Sequence, residues 1–243
     1  MANVDFKQQL EVEIGRLARV PVETYQMPIP HIDGWTVQTV LGHTGWVFRY
    51  IANALEASPD SPPRRSSVGE PPVGDELLPW FLEGAELVQN SLASGDPEAL
   101  RPTFTGPQPA SWWLRRISHE VAMHRWDAYA ASTRPEPIAA QLALDGIDEM
   151  FTVFAPSRLD FDALDAEGKT LHLHATDVDH GEWLVYLGSD SLTWEHGHAK
   201  GDVAVRGPVA DLLLASWNRI PATGLEVFGD ADLFTRWQGA VRF

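Results

Sequence analysis

The first half of the chain is organised in helical stripes separated by turn-rich breaks. From about Val4 to Val20, apolar residues recur at the three-and-four spacing of an amphipathic helix, and Pro21 ends the run. A second helix is expected from about Thr36 to Ala57. Thr36 is placed to cap it, and Val40, Val47, Tyr50 and Ile51 form an apolar stripe that includes His43. Asp75 to Ser94 suits a third helix, with Leu77, Leu78, Phe81, Leu82, Ala85 and Val88 on its apolar side. Ser111 to Ser132 contains neither Gly nor Pro and reads as a fourth. After the break at Arg134-Pro135-Glu136-Pro137, Ile138 to Phe154 reads as one more.

Beyond Pro156 the period changes to two. Leu171, Leu173 and Ala175 alternate with His172, His174 and Thr176, the signature of a half-buried strand. Further strand-like runs cover 182–187, 191–195, 202–205 and 225–228, with turn formers such as Asp179-His180-Gly181 and Gly188-Ser189-Asp190 between them. Val209 to Arg219 reads as a helix opened by Gly207-Pro208. Ala231 to Ala240 closes the chain as another, with Asp230 as its N-cap. The pattern predicts an α+β protein of two domains, a helical bundle over 1–155 and a small α+β domain over 156–243, joined through roughly Ala155 to Lys169. There is no internal repeat. Residues 58–74, with five prolines, read as a solvated loop. Arg64 and Arg65 are the feature that would let this loop close over an anionic ligand.

Composition narrows the function classes. A chain of 243 residues with 44% hydrophobic and 21% charged residues has ample core for such a protein. Its net charge of −16 repels phosphate backbones and anionic headgroups, so neither nucleic acid nor membrane is expected as a partner. An organic acid would have to be received by a local arginine. With no cysteine, disulfides and a protein thiol nucleophile are excluded, and any thiol chemistry must use a small-molecule thiol. The ten tryptophans read mainly as packing residues, with pocket lining the alternative for one or two. The first twenty residues carry charges throughout and lack an apolar core, and no run approaches a spanning helix, so a cytoplasmic location is expected.

The chemistry concentrates in Ser118-His119-Glu120-Val121-Ala122-Met123-His124-Arg125-Trp126-Asp127. On a helix, Glu120 and His124 lie about 40° apart, while His119 points roughly 140° away from His124. The spacing differs from the H-E-x-x-H zincin pattern, and the metal-competent pair is Glu120 with His124. Alone, the pair reads first as a solvated i,i+4 contact. His43, on an apolar helix face, is the available third ligand, or else a hydrogen-bonded core histidine. Asp127 falls on the same stripe, either orienting a ligand histidine or solvating the helix. His172 and His174 share one strand face and could chelate a metal, and His196 with His198 makes another His-x-His. The favoured reading of both pairs is the polar face of half-exposed strands that need no metal, with adventitious metal the confounder. No phosphate-cradling loop, nucleophile elbow or dinucleotide fingerprint occurs.

Three segments taken in order carry a resemblance. They are Gly34-Trp35-Thr36-Val37 with Leu41-Gly42-His43; His119-Glu120 through His124-Arg125-Trp126-Asp127-Ala128; and a tail with Leu212-Leu213-Leu214, Trp217-Asn218-Arg219 and Val227-Phe228-Gly229-Asp230. Together they resemble the mycothiol-dependent maleylpyruvate isomerase family, over nearly the whole chain. The resemblance implies a DinB-like metal-binding four-helix bundle followed by a small α+β sandwich of the sterol-carrier type. It implies one divalent metal, zinc, held by His43, Glu120 and His124, and mycothiol as the thiol cofactor. It also implies an arginine of the second domain at the site, with Arg206 and Arg219 the candidates for a catalytic role. The expected function is an isomerase or transferase in which a metal-bound thiolate attacks a small electrophile. Its partners would be that substrate and a low-molecular-weight thiol. Two other readings stay open: a metal-containing small-ligand-binding protein without catalysis, and a metal-dependent hydrolase that needs no thiol. Substrate identity and oligomeric state are not legible in the sequence.

Overall fold

A computed structural model describes residues 4–133 and 135–241. The chain is α+β and divides into a helical unit, 5–136, and a mixed unit over 137–243. The division falls ahead of the 155/156 boundary expected from the sequence. The reason is that the helix after Pro137 packs on a later helix of the mixed unit.

In the helical unit, α1 (Phe6–Leu17) opens with the Asp5 side chain accepting from the Gln8 amide at 3.0 Å. Helix α2 (Val37–Glu56) is closed at its start by a reciprocal capping box between Thr36 and Thr39. The preceding loop pins that start, because Val37 and Gln38 donate backbone hydrogen bonds to the Met27 and Tyr25 carbonyls. After α3 (Leu77–Ser94), a short ladder of β1 (Leu100–Arg101) and β2 (Gln108–Pro109) leads into α4 (Ala110–Ala130). Helix α1 packs on α4 and α2 on α3, and α2 also meets α4, which makes a four-helix bundle. The approach of α2 to α3 depends on Gly45, where a Cβ would sit 2.5 Å from the Trp80 ring.

The bundle core is mostly apolar, with buried polar groups concentrated along α4 and Glu13 of α1 and Thr44 of α2 beside them. Leu10, Ile14 and Leu17 of α1, Val40, Phe48 and Ile51 of α2, and Phe81 and Val88 of α3 are buried. Helix α4 instead buries Arg116, His119, His124, Arg125 and Asp127. Each is placed against a polar partner or a ring, as buried polar groups require. Toward α1, Arg125 Nε donates to Glu13 Oε2 at 2.6 Å, with both side chains at most 2% exposed. Ser118 donates to the Phe6 carbonyl and Tyr129 to the Arg16 carbonyl.

The mixed unit starts with α5 (Ala140–Glu149), a π-turn (Met150–Phe154) and the short helices α6 (Ala155–Arg158) and α7 (Phe161–Leu164). The stretch expected to be a linker therefore carries two short helices. Strands β3 (Thr170–Ala175), β4 (Glu182–Leu187), β5 (Leu192–His196), β6 (Val203–Gly207) and β7 (Glu226–Gly229) form one sheet in the order β5-β4-β3-β6-β7. Of the neighbouring pairs in this sheet, β3–β6 is parallel and the others are antiparallel. Between β6 and β7 lies α8 (Val209–Ser216), and α9 (Ala231–Ala240) is capped by Asp230 as expected. Leu171, Leu173, Val185, Val203 and Val205 are buried on the face that meets α8 and α9, the alternation read from the sequence. Among the described residues, no helix is long and apolar enough to cross a membrane.

The buried Arg125–Glu13 pair should be costly to halve. Arg125→Met, which removes the buried cation and leaves the Glu13 carboxylate only its contact with the half-buried Arg16, is expected to lower the unfolding free energy by about 3 kcal/mol. Glu13→Leu together with Arg125→Met should restore most of that loss. Denaturant unfolding of the three proteins checks it, and a single-variant loss below about 1 kcal/mol would remove the pair from the bundle's determinants.

Candidate metal centre

Helical periodicity puts Glu120, His124 and Asp127 on one stripe of α4, and that stripe faces α2 rather than solvent. His43 Nε2 lies 2.9 Å from Glu120 Oε1, and His124 Nε2 lies 3.3 Å from the same oxygen. One ligand atom from each of the three residues falls within 4.8 Å of the others. The solvated-pair reading of Glu120 and His124 gives way to this, since His124 is only 7% exposed.

Surrounding groups hold the triad in place. Arg116 donates to Glu120 Oε2 at 2.7 Å, so Oε1 is the oxygen left for the histidines. Asp127 Oδ2 lies 2.9 Å from His124 Nδ1, which orients the ring with Nε2 toward Glu120. The other Asp127 oxygen lies 2.6 Å from His31 Nε2. Of the two readings of Asp127, the orienting one describes the structure. Trp35 stacks on the His124 ring at 5.6 Å and leans on His43 at 5.0 Å. His119 points away and meets the Phe6 ring edge-on.

These neighbours set the charge states. Burial pushes the Glu120 carboxyl up, but hydrogen bonds from His124 and His43 and the Arg116 charge outweigh it and hold the pKa well below the usual range. Burial likewise pushes His124 down, yet the Asp127 and Glu120 carboxylates overcome it and raise the imidazole to about 9. The fit to a metal follows from the same arrangement. Two imidazole Nε2 atoms and a carboxylate oxygen converge, one imidazole is anchored at Nδ1 by a carboxylate, and the carboxylate is anchored by an arginine.

His43 also lines a cleft of about 660 Å³. Its walls include Trp35, Trp46, Arg65, Glu70 and Pro71, so part of the 58–74 segment forms one side. The Arg65 guanidinium lies over the Trp46 ring, 5.0 Å from its centre. The segment expected to be a solvated loop is a cleft wall, and Arg65 is the arginine it brings.

The arginines expected from the second domain lie in the mixed unit. Arg206, on β6, is half-exposed and pairs with Glu226 Oε2 at 2.8 Å. Arg219 follows α8, is buried, and donates to the Trp217 carbonyl at 3.3 Å. Arg125, near the motif, belongs to the α1 contact. Sequence reasoning missed Arg116 and His31. Arg116 carried a signal, being four residues before Glu120 on one helix face. His31 carried none, because its partner Asp127 is 96 residues away.

A four-helix bundle with an inward His-Glu-His set that could hold a metal ion, followed by a small sheet-and-helix unit, defines the class of this two-domain protein. Comparison with known families is consistent with this class. The profile of the mycothiol maleylpyruvate isomerase N-terminal domain matches residues 9–129, and that of the MDMPI C-terminal domain matches residues 141–236. The chain belongs to the mycothiol-dependent maleylpyruvate isomerase family. Among solved structures, a mycothiol-dependent maleylpyruvate isomerase superposes with a TM-score of 0.65 at 15% identity, covering 92% of this chain and 91% of that one. A histidine-to-alanine variant of a mycothiol-dependent maleylpyruvate isomerase gives the same values. At that identity the likeness speaks for the fold. No curated protein sequence matches the chain.

The raised His124 pKa makes a signed prediction for the metal-free protein. A group whose folded pKa lies above its unfolded value stabilises the fold fully below the unfolded value, near 6.5, and loses that contribution as pH rises through about 9. The shift corresponds to roughly 3 kcal/mol. Unfolding in chelator at pH 6, 7.5 and 9.5 should show this decline, and Asp127→Asn should flatten it. An equal slope in both proteins would mean that Asp127 does not hold the His124 proton.

Proposed function

We propose that the protein is an isomerase or transferase of the maleylpyruvate isomerase type, dependent on a divalent metal and a low-molecular-weight thiol. The observation that carries this reading is the convergence of His43, Glu120 and His124 beside the cleft. These three side chains would hold the ion, zinc by their chemistry, and mycothiol would be the thiol, as for the named relative. A cation there would supply charge that favours thiolate over thiol at neutral pH.

The chain's own residues have defined tasks. Arg116 keeps Glu120 ionised and turned toward the histidines. Asp127 holds His124 by Nδ1, leaving Nε2 to face the centre. Trp35 and Trp46 give the cleft flat apolar walls, and Arg65 offers a positive charge to a substrate carboxylate despite the acidic surface. Toward a cis alkene conjugated to a carbonyl, the thiol would supply reversible addition and elimination, which would lower the bond order, permit rotation and return the trans alkene with no net oxidation. An arginine suits the negative charge that would develop on the carbonyl oxygen, and Arg206 and Arg219 are assigned this role on the family likeness.

Mass-spectrometric metal counting on tag-free protein, with turnover of a cis-enone acid with and without thiol, tests this. Glu120→Ala and His43→Ala should each lose one equivalent of metal relative to wild type. Thiol-dependent turnover should fall about 100-fold or more. Unchanged metal and turnover would reject the reading, turnover without thiol would favour a hydrolase, and metal without turnover a binding protein. Arg219→Gln or Arg206→Gln should lower kcat with KM little changed; if neither does, the arginine role is wrong.

Arg65→Gln should raise KM for an anionic substrate about tenfold with kcat nearly constant, the loss of one charge-assisted contact. An unchanged KM would return the 58–74 segment to a purely structural part.

A further inference from the structure

The sheet of the mixed unit carries a second convergence of ligand side chains, unrelated to the bundle centre. His172 and His174 alternate on β3 and therefore share one face of the sheet. Glu182, at the start of β4, is the direct cross-strand partner of His174. His198 returns from the loop after β5 to the same point. Glu182 Oε2 lies 3.2 Å from His172 Nε2, 3.5 Å from His174 Nδ1 and 2.7 Å from His198 Nδ1. The three rings stand nearly perpendicular to one another, at 84° to 87°, with centres 5.5 to 6.1 Å apart.

Protons alone account poorly for this arrangement. Three neutral imidazoles would direct three N–H groups at one oxygen that has two lone pairs. Three protonated imidazoles would place three positive rings side by side. One cation at the centre satisfies all four ligands. Around a zinc ion at bond lengths of 2.0–2.1 Å, tetrahedral ligands stand about 3.3 Å apart, close to two of the three separations found. The loop is also shaped to the site. A Cβ on Gly201 would meet the Val203 carbonyl at 2.8 Å and His172 at 3.1 Å, so the chain can cross close over His172 only with glycine there. His172 itself is 3% exposed, unlike a histidine on the solvated face of a strand, which is how the alternation alone reads. His196, the other member of its pair, turns to Asp148 at 3.2 Å and lies outside the cluster.

We propose that His172, His174, Glu182 and His198 form a second divalent-metal site, selective for a first-row ion such as zinc. Four protein ligands complete the tetrahedral shell, so the site is structural: it ties the loop over 197–201 to β3 and β4. On this proposal the metal-chelating alternative for His172 and His174 takes the place of metal-free strand polarity.

The test uses the full tag-free chain, stripped with chelator, reloaded with zinc and gel-filtered. In a Glu120→Ala background one equivalent of zinc should remain. Adding His198→Ala, at a largely exposed position, or Glu182→Gln should remove it. Zinc should raise the Tm of the Glu120→Ala protein and leave both double variants unmoved. Absence of zinc from the Glu120→Ala protein, or equal retention in the double variants, would overturn the proposal and mark any binding as adventitious. Equal zinc in wild type and Glu120→Ala would instead reject the bundle centre alone.

Discussion

One half-buried carboxylate, Glu120, constrains the whole helical unit. It stays ionised inside a bundle only because Arg116, His43 and His124 surround it. Each of those groups makes a further demand. His124 needs Asp127 behind it, and Asp127, with no exposed surface, needs His31. That chain of requirements explains why α4 is so polar for a helix buried on several sides. It also explains why the loop ahead of α2 is pinned by backbone hydrogen bonds, since that loop delivers His31 and Trp35. Apolar packing of α1, α2 and α3 supplies the driving force, and the polar chain decides how α4 is turned within it.

Much of this was legible in the sequence. Helices α1 to α4 lie within a few residues of the positions read from apolar spacing, and Thr36 and Asp230 cap the helices they precede. The strands follow the period-two runs, and the buried face of β3 is the one carrying Leu171 and Leu173. Helical geometry alone placed Glu120 with His124 and turned His119 away. Those features are local: a side chain's direction along one helix or strand follows from its own spacing.

What the sequence left open depends on contacts between distant segments. That His43 meets Glu120 is set by how α2 crosses α4, 77 residues apart, which no spacing encodes. The His31–Asp127 contact is of the same kind. In the sheet, alternation correctly put His172 and His174 on one face, but the usual inference from polar alternation is solvent. Loop 197–201 folds over that face and converts an exposed position into a buried one. The domain boundary moved for a related reason: α5 continues the helical character of the first half, and only its packing on α8 assigns it to the second.

Charge and composition bear on the chemistry in a way that neither fold nor motif does. The chain has 34 acidic residues against 18 lysines and arginines, so the bulk field opposes an anionic substrate. Binding such a substrate therefore rests on short-range contacts, where one arginine on an aromatic face in a partly enclosed cleft outweighs remote screened carboxylates. Arg65 over Trp46 has that form. The absence of cysteine acts in the same direction. A protein with no thiol of its own has none to compete at the proposed metal centre, so a thiol arriving there would come from a diffusible molecule. On the proposed function, an acidic, cysteine-free chain with a histidine-rich centre would leave charge recognition and thiol chemistry to the cleft beside His43.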